Sequence, residues 1–357
     1  MKINLFTDNL GAGGAQRQLV GLAIMLKERG YDVKVSTYYN IDFYKSHLDN
    51  ANVVNELIPK AANTKNRIWA IKQYFKKENP DWVIAYQETP SLVACLAKVL
   101  GCKYKLLVSE RNTTQNVGMK EWVRFYLYHW ADVIVPNSYS QESFLGEHHP
   151  WMKQKLKTIT NFVDTNQFVP IEHTRRDKPE ILIVASIWAS KNTIGLIEAI
   201  SLLKEKNVQC HFSWYGKSES NIEYYNQCVD LIENLGVSDY IELLPKTKEI
   251  RKKYQEADYF CLPSFYEGTP NVLCEAISCG LPVMVSDVCD NAIYAQPGIN
   301  GILFDPRKPK DIAEKILYLL DQNDAQYNIC RINSRKIAEE KLSQVFFVEK
   351  YISLINK

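Results

Sequence analysis

Residues 259–285 constrain the fold more than any other stretch of the chain. Two short apolar runs, Tyr259–Leu262 and Pro282–Val285, read as strands, and a polar loop and a short helix lie between them. The loop runs from Ser264 to Pro270, a residue that suits a helix start because its missing N–H would find no partner there anyway. From Asn271 the apolar residues Val272, Leu273, Ala276 and Ile277 follow helical spacing. Gly280 ends the helix, and Pro282 forbids its continuation. In a parallel α/β sheet such a loop lies at the carboxyl edge, where open sheets take their ligands, and the helix start after it can bind phosphate. Two carboxylates, Glu267 and Glu275, flank that start with seven residues between them. Carboxylates repel phosphate, so the pair points to a ligand with phosphate in its middle and hydroxyl-rich groups at both ends, as in a nucleotide-sugar. The alternative is two solvated charges in a first turn, where the helix dipole favours acids. Spacing alone leaves both open.

The rest of the chain repeats the alternation. Lys2–Thr7, Val33–Thr37, Val53–Leu57, Trp82–Tyr86, Leu106–Ser109 and Val133–Val135 are expected strands. Ala15–Arg29, Asn66–Glu78, Ser91–Leu100 and Met119–Trp130 are expected helices. Ile181–Ala185, Cys210–Tyr215, Tyr240–Leu244 and Ile302–Phe304 are further strands. Helices are expected from Asn192 or Thr193, over Lys248–Ala257 and Pro309–Leu320, and as a final pair, Ala325–Glu339 and Ser343–Ile355. Strands and helices alternating in this way build doubly wound parallel sheets. The 357 residues suffice for two domains of ordinary size. The polar, Pro-bounded residues 169–179 read as the linker between residues 1–168 and 180–342.

Composition narrows the function. A net charge of +2 excludes a strong overall field for nucleic acid. Nine scattered cysteines, an odd number with no C-x-x-C pair, point to free core thiols in a reducing, cytoplasmic setting rather than disulfides or zinc. The six histidines show no metal spacing, the chain opens on a strand rather than a signal peptide, and no apolar run reaches transmembrane length. Charge is unevenly spread, with twelve Lys/Arg against five Asp/Glu between positions 60 and 130. There Lys65, Arg67, Lys72, Lys76 and Lys77 alternate with Ile68, Trp69, Ile71, Tyr74 and Phe75. Such a helix is either an ordinary amphipathic one with solvated lysines or a peripheral contact with an anionic membrane.

At the first turn, Gly11 and Gly13 are followed by Gln16 where a G-x-G-x-x-G dinucleotide fingerprint needs glycine, so that fingerprint fails. Two adjacent glycines, Gly13 and Gly14, still favour close backbone approach to a ligand.

The block EGTPNVLCEAISCGLPV resembles the E-x7-E signature of family 4 of the retaining glycosyltransferases, with matches at Ser264, Gly268, Pro270, Ala276, Gly280, Pro282 and Val283. The Gly13, Gly14, Ala15 and Arg17 segment and the ITNFVDTNQF stretch at 159–168 are similar to further segments of that family. The resemblance implies the GT-B fold, in which two Rossmann-like domains face each other across a cleft and the final helix (343–357) crosses back to the first. It implies an acceptor-binding first domain, and a second domain that binds a nucleotide-sugar, expected here to be a UDP-sugar. It places the donor sugar on Glu267, the ribose on Glu275 and the diphosphate on Lys191. Gly13, Gly14, Ser186, Gly216, Gly268, Thr269, Pro270, Asn271 and Val272 complete the implied donor site. Ser186 stands where the family has an arginine, and Glu110 and Arg111 stand where many members have a histidine. Arg111 is a candidate to grip an anionic acceptor group, or else it pairs with Glu110.

The expected activity is therefore metal-independent transfer of a sugar to a glycan or polyprenyl-diphosphate-linked acceptor in surface polysaccharide synthesis, without cofactor. The expected place is the cytoplasm or the inner face of the plasma membrane. A nucleotide-sugar epimerase and a non-catalytic nucleotide-sugar-binding subunit are the alternatives.

Overall fold

The computed structural model describes residues 1–111, 117–217 and 221–356. The tail of the SERNTTQN segment, 112–116, lies outside the described residues. The chain divides into two compact units, Met1–Asn161 with Gln344–Lys357, and Phe162–Ser343.

The first unit is built on six parallel strands: β1 (Lys2–Phe6), β2 (Asp32–Thr37), β3 (Val54–Leu57), β4 (Trp82–Tyr86), β5 (Lys105–Glu110) and β6 (Val133–Pro136). Their order is β3-β2-β1-β4-β5-β6. The second unit has β7 (Glu180–Val184), β8 (His211–Lys217), β9 (Ile241–Pro245), β10 (Tyr259–Leu262), β11 (Val283–Ser286) and β12 (Gly301–Phe304) in the order β12-β11-β10-β7-β8-β9. Numbered from its own first strand, each unit has the same order, with a switch point where connections begin to run the other way. It falls between β1 and β4 in the first unit and between β7 and β10 in the second.

Both faces of these sheets are covered, which is why the strands are continuous apolar runs. In the second unit Ile181, Ile183 and Trp214 enter one core, while Leu182, Phe260, Leu262 and Val285 enter another with Leu273 and Ile277. Successive strand residues thus serve opposite layers. In the first unit, right-handed crossovers place the helices Arg67–Glu78, Glu88–Val99 and Met119–Leu127 side by side on one face, and Gly14–Glu28 on the other.

Several boundaries differ from expectation for identifiable reasons. The helix expected at Ser91 begins at Glu88, because Pro90 falls in a first turn that needs no donor. The helix expected over 119–130 is α-helical only to Leu127 and finishes as a 3₁₀ turn, Tyr128–Trp130. Helices at Tyr139–His148 and Ile222–Asn234 were not anticipated. In the basic helix Arg67–Glu78, Ala70, Ile71 and Phe75 are core residues, so its apolar side is an ordinary packing face. The unit boundary falls at Asn161 and Phe162, ahead of residues 169–179. That stretch is fastened along the second unit: Arg176 and His173 pair with the fully buried Asp258, and Arg175 donates to the Gln322 carbonyl at 2.6 Å. Eight of the nine cysteines are buried, Cys289 is exposed, and none is paired.

The last helix, Gln344–Ile355, belongs to the first unit and packs on Gly14–Glu28. Phe347, Tyr351 and Leu354 are buried, whereas Phe346 lies exposed under the Lys350 ammonium, 4.3 Å from its ring centre. The Trp82 indole donates to the Ile355 carbonyl at 3.0 Å, which fixes the helix to the central sheet.

Candidate functional site

In the second unit the two strands of the switch point each feed a loop. After β7 the chain passes Ser186 and makes a 3₁₀ turn, Ala189–Lys191, then enters the helix Thr193–Glu205 through Asn192. Asn192 has φ +57°, and its side chain donates to the Pro306 carbonyl at 2.7 Å. After β10 the chain runs through Ser264–Pro270 into the helix Asn271–Ser278. Pro270 is the residue flanking that helix rather than its first member, and accepts from the Cys274 N–H at 3.2 Å. The helix closes at Gly280, where the Leu281 N–H reaches the Ala276 carbonyl at 3.0 Å.

The two loops are joined. The Phe265 N–H donates to the Ser190 carbonyl at 3.0 Å, and Lys191 Nζ lies 2.5 Å from Glu267 Oε1. Two residues read separately from the sequence, 76 positions apart, therefore form one charged pair at the carboxyl edge of β7 and β10. Thr269, Pro270 and Glu275 are buried, and Gly268, Asn271 and Val272 are half-buried. The Ser264 hydroxyl is fully buried at the end of β10 and has no hydrogen-bond partner among the described residues. A buried hydroxyl without a partner is destabilising by roughly 1–3 kcal/mol. Gly216, at φ +153°, has a structural reason: a Cβ there would fall 1.9 Å from the Ala185 carbonyl oxygen.

At the first unit's switch point, Gly13 precedes the helix Gly14–Glu28. A Cβ on Gly13 would sit 2.2 Å from Gln16 Oε1, so glycine makes room for that side chain. Gln16 Nε2 donates to Gln87 Oε1 at 3.4 Å, and Thr7 Oγ1 donates to the same oxygen at 3.1 Å. Gln87 follows β4 with φ +72° and ψ 170°, a region nearly reserved for glycine. Nothing in its sequence neighbourhood announces that strain.

Glu110 and Arg111 do not pair with each other. Arg111 donates to Ser109 Oγ at 2.8 Å, Asn161 Oδ1 at 3.0 Å, Tyr86 OH at 3.0 Å and Tyr351 OH at 2.5 Å, and its guanidinium lies 4.4 Å from the Tyr86 ring centre. With four bonds and a stacked ring it is a buried strut between the sheet and the last helix. Glu110 is fully buried, receives the Tyr128 hydroxyl and lies 3.4 Å from Arg124, which also pairs with Glu88 at 2.9 Å. Burial pushes the Glu110 carboxyl above its usual range, and Arg124 and Tyr128 only partly oppose it.

Residues 164–337 match the family model of glycosyl transferases group 1, and residues 12–167 match that of Glycosyltransferase Family 4. This chain is a family 4 glycosyltransferase. A Campylobacter jejuni relative is 24% identical over 78% of this chain and 77% of its own. It is named GalNAc-alpha-(1->4)-GalNAc-alpha-(1->3)-diNAcBac-PP-undecaprenol alpha-1,4-N-acetyl-D-galactosaminyltransferase. Among solved structures, Anabaena HepE in complex with UDP shares the fold of this glycosyltransferase at TM-score 0.86 and 17% identity, over 100% of both chains. A glycosyltransferase from Rickettsia africae does so at TM-score 0.85 and 18% identity, over 99% of this chain and 98% of its own. The glycosyltransferase thus has the paired Rossmann-like sheets of the GT-B class.

Proposed function

We propose that this glycosyltransferase moves a sugar, with retention and without a metal, from a UDP-sugar to a glycan carried on a polyprenyl diphosphate in surface polysaccharide synthesis. The observation that carries the reading is the Lys191–Glu267 pair beside the start of the helix Asn271–Ser278. In the absence of donor the two charges satisfy each other. A nucleotide-sugar divides them, drawing the ammonium to its diphosphate and leaving the carboxylate for the sugar hydroxyls. The helix start supplies N–H groups to the same diphosphate, and Glu275 takes the ribose. The UDP and UDP-glucose complexes solved for HepE, and the undecaprenol-linked acceptors named for the Campylobacter enzymes, support the donor and acceptor classes.

Both glutamates belong to donor binding, so neither is free to act as a nucleophile on the opposite face. In the reaction the bond from the anomeric carbon to the diphosphate oxygen breaks, and the acceptor hydroxyl oxygen bonds to that carbon from the same side. The hydroxyl proton passes to the departing diphosphate. Lys191 and the helix start stabilise the charge growing on the leaving group, and binding aligns the reactants. Arg111, committed to Tyr86 and Tyr351, takes a structural role in this scheme instead of gripping the acceptor.

The test is Glu267→Ala, assayed by UDP calorimetry and by sugar transfer. UDP binding stays within a few-fold of wild type and transfer falls by about 10²-fold or more. Full transfer by Glu267→Ala would discard the assignment.

A further inference from the structure

We infer that the Gln87 carboxamide is a hydrogen-bond donor for a hydroxyl of the acceptor saccharide, held ready in the first unit by Thr7 and Gln16. The inference rests on the sugar-transfer reading for the identity of its ligand, and on the first unit alone for its geometry. Gln87 stands at the carboxyl end of β4, across the switch point from Thr7 at the end of β1, where an open sheet takes its ligands. Its backbone, at φ +72° and ψ 170°, is pinned from two sides. The Gln87 N–H donates to the Ser109 carbonyl at 3.1 Å, and the Gln87 carbonyl accepts from the Ser91 N–H at 3.1 Å. Glycine would hold this conformation without strain. A side chain kept there, at a ligand-binding edge of the sheet, marks a site that uses that side chain.

The side chain is held as closely as the backbone. Gln87 Oε1 accepts from Thr7 Oγ1 at 3.1 Å and from Gln16 Nε2 at 3.4 Å, which occupies both lone pairs of that oxygen. Thr7 and Gln16 are buried, and Gln16 fits only because position 13 is glycine, where a Cβ would lie 2.2 Å from Gln16 Oε1. With its oxygen so fixed, the amide turns its NH2 group away from Thr7 and Gln16. Gln87 is half-buried, and its NH2 group has no hydrogen-bond partner among the described residues. Three elements, β1, β4 and the helix Gly14–Glu28, thus combine to present one unoccupied pair of donors.

The chemistry beside this link selects the ligand. Asp8 is half-buried, its Oδ1 lies 3.4 Å from Thr7 Oγ1, and it forms no ion pair among the described residues. A carboxylate accepts from hydroxyls and repels phosphates, and Thr7, Gln16 and Gln87 bring no cation to offset it. Amide donors near an unpaired acid suit a neutral sugar ring, whose hydroxyls both accept and donate, better than the diphosphate of either substrate. Thr7 and Gln16 act through Gln87 and are positioning residues.

The experiment is saturation-transfer NMR on the full chain in excess UDP. The probes are the methyl glycosides of glucose, galactose, N-acetylglucosamine and N-acetylgalactosamine. UDP affinity by calorimetry and the unfolding midpoint are measured on the same samples. Wild type binds at least one of these glycosides. Gln87→Glu keeps an oxygen for Thr7 and Gln16 but has no NH2 group, and weakens binding of that glycoside by about tenfold. Gln87→Gly removes the side chain and the strain together, and weakens it to the same extent in a chain that folds without strain at this position. Thr7→Val leaves the NH2 group in place but loosens it, and weakens binding by a few-fold. Undiminished glycoside binding by Gln87→Glu, or no glycoside bound by wild type, overturns the inference. A parallel loss of UDP binding in Gln87→Glu overturns it too, because the amide would then serve the nucleotide. Glycoside binding by a wild type that binds no UDP would instead remove the proposed function and leave this saccharide site standing.

Discussion

The two switch points of this glycosyltransferase have the same strand order and opposite chemistry. Across β7 and β10 the link is an ammonium and a carboxylate, Lys191 and Glu267. Across β1 and β4 it is three neutral groups, Thr7, Gln16 and Gln87, held together by a backbone forced into glycine territory. Asp8 also accepts from the Thr7 hydroxyl there, at 3.4 Å, while Glu110 and Arg111 at the end of β5 are buried struts. One topology thus yields an edge joined by an ion pair, which can meet a diphosphate, and an edge joined by neutral side chains and kept in shape by strain. The lesson is that strand order fixes where a ligand binds, while the loop residues decide what charge it meets.

The comparison breaks most readily at Lys191. Lys191→Ala should lower kcat by about 10²–10³-fold, the range for removing one preorganised group that stabilises a developing anion. Steady-state kinetics decides it, and a change under threefold would mean the edge does not handle the leaving group. Next, Glu275→Ala should weaken UDP binding roughly 10- to 100-fold, the loss of a hydrogen bond to a charged group, read by calorimetry. At the neutral edge the expected effects are smaller and fall on stability. Gln87→Gly should be more stable than Gln87→Ala by about 1–3 kcal/mol, because both lose the side-chain bonds but only alanine keeps the strain. Urea unfolding measures the difference, and equal midpoints would show that the backbone at 87 is relaxed.

The smallest effect concerns Glu110. Its folded carboxyl titrates above the unfolded one, so its contribution to stability is fully present below the ordinary glutamate range and is lost as pH rises through the raised value. The unfolding midpoint of Glu110→Gln should therefore gain on wild type as pH rises from about 4 towards neutrality. A midpoint of Glu110→Gln that instead falls relative to wild type over this window would mean that Arg124 outweighs burial.

Much of this was legible beforehand. Alternating apolar runs and helical spacing carry both doubly wound sheets, because a strand buried on two faces must be apolar throughout. Glu267 and Glu275 stood out because charged groups beside a Gly/Pro loop at a sheet edge are seldom there for packing, and Lys191 through the family resemblance. What stayed hidden depends on distant partners. Arg111 meets Tyr351 from 240 positions away, and no local pattern distinguishes such a strut from a ligand-binding arginine. Gln87 looks like any polar residue after a strand, since strain lies in the backbone. The helix Tyr139–His148 escaped notice because few of its residues are buried, although Ser138 caps it by accepting the Gln141 N–H at 3.2 Å. The exposure of Met119, Trp122 and Tyr126 was not anticipated, because spacing reports that a helix has an apolar side but not what covers it.

The last helix imposes an order on biosynthesis. Trp82, Tyr86 and Arg111 emerge early from the ribosome, yet their partners Tyr351 and Ile355 arrive only after the whole second unit has been made. At about 5–20 residues per second, that interval is on the order of ten seconds or more. Throughout it the first sheet carries a buried-type guanidinium with one of its four acceptors, Tyr351, missing, while the second unit is free to fold as soon as it emerges. The nascent first half is therefore the part that needs guarding, and emergence of the helix Gln344–Ile355 is the step that closes its core.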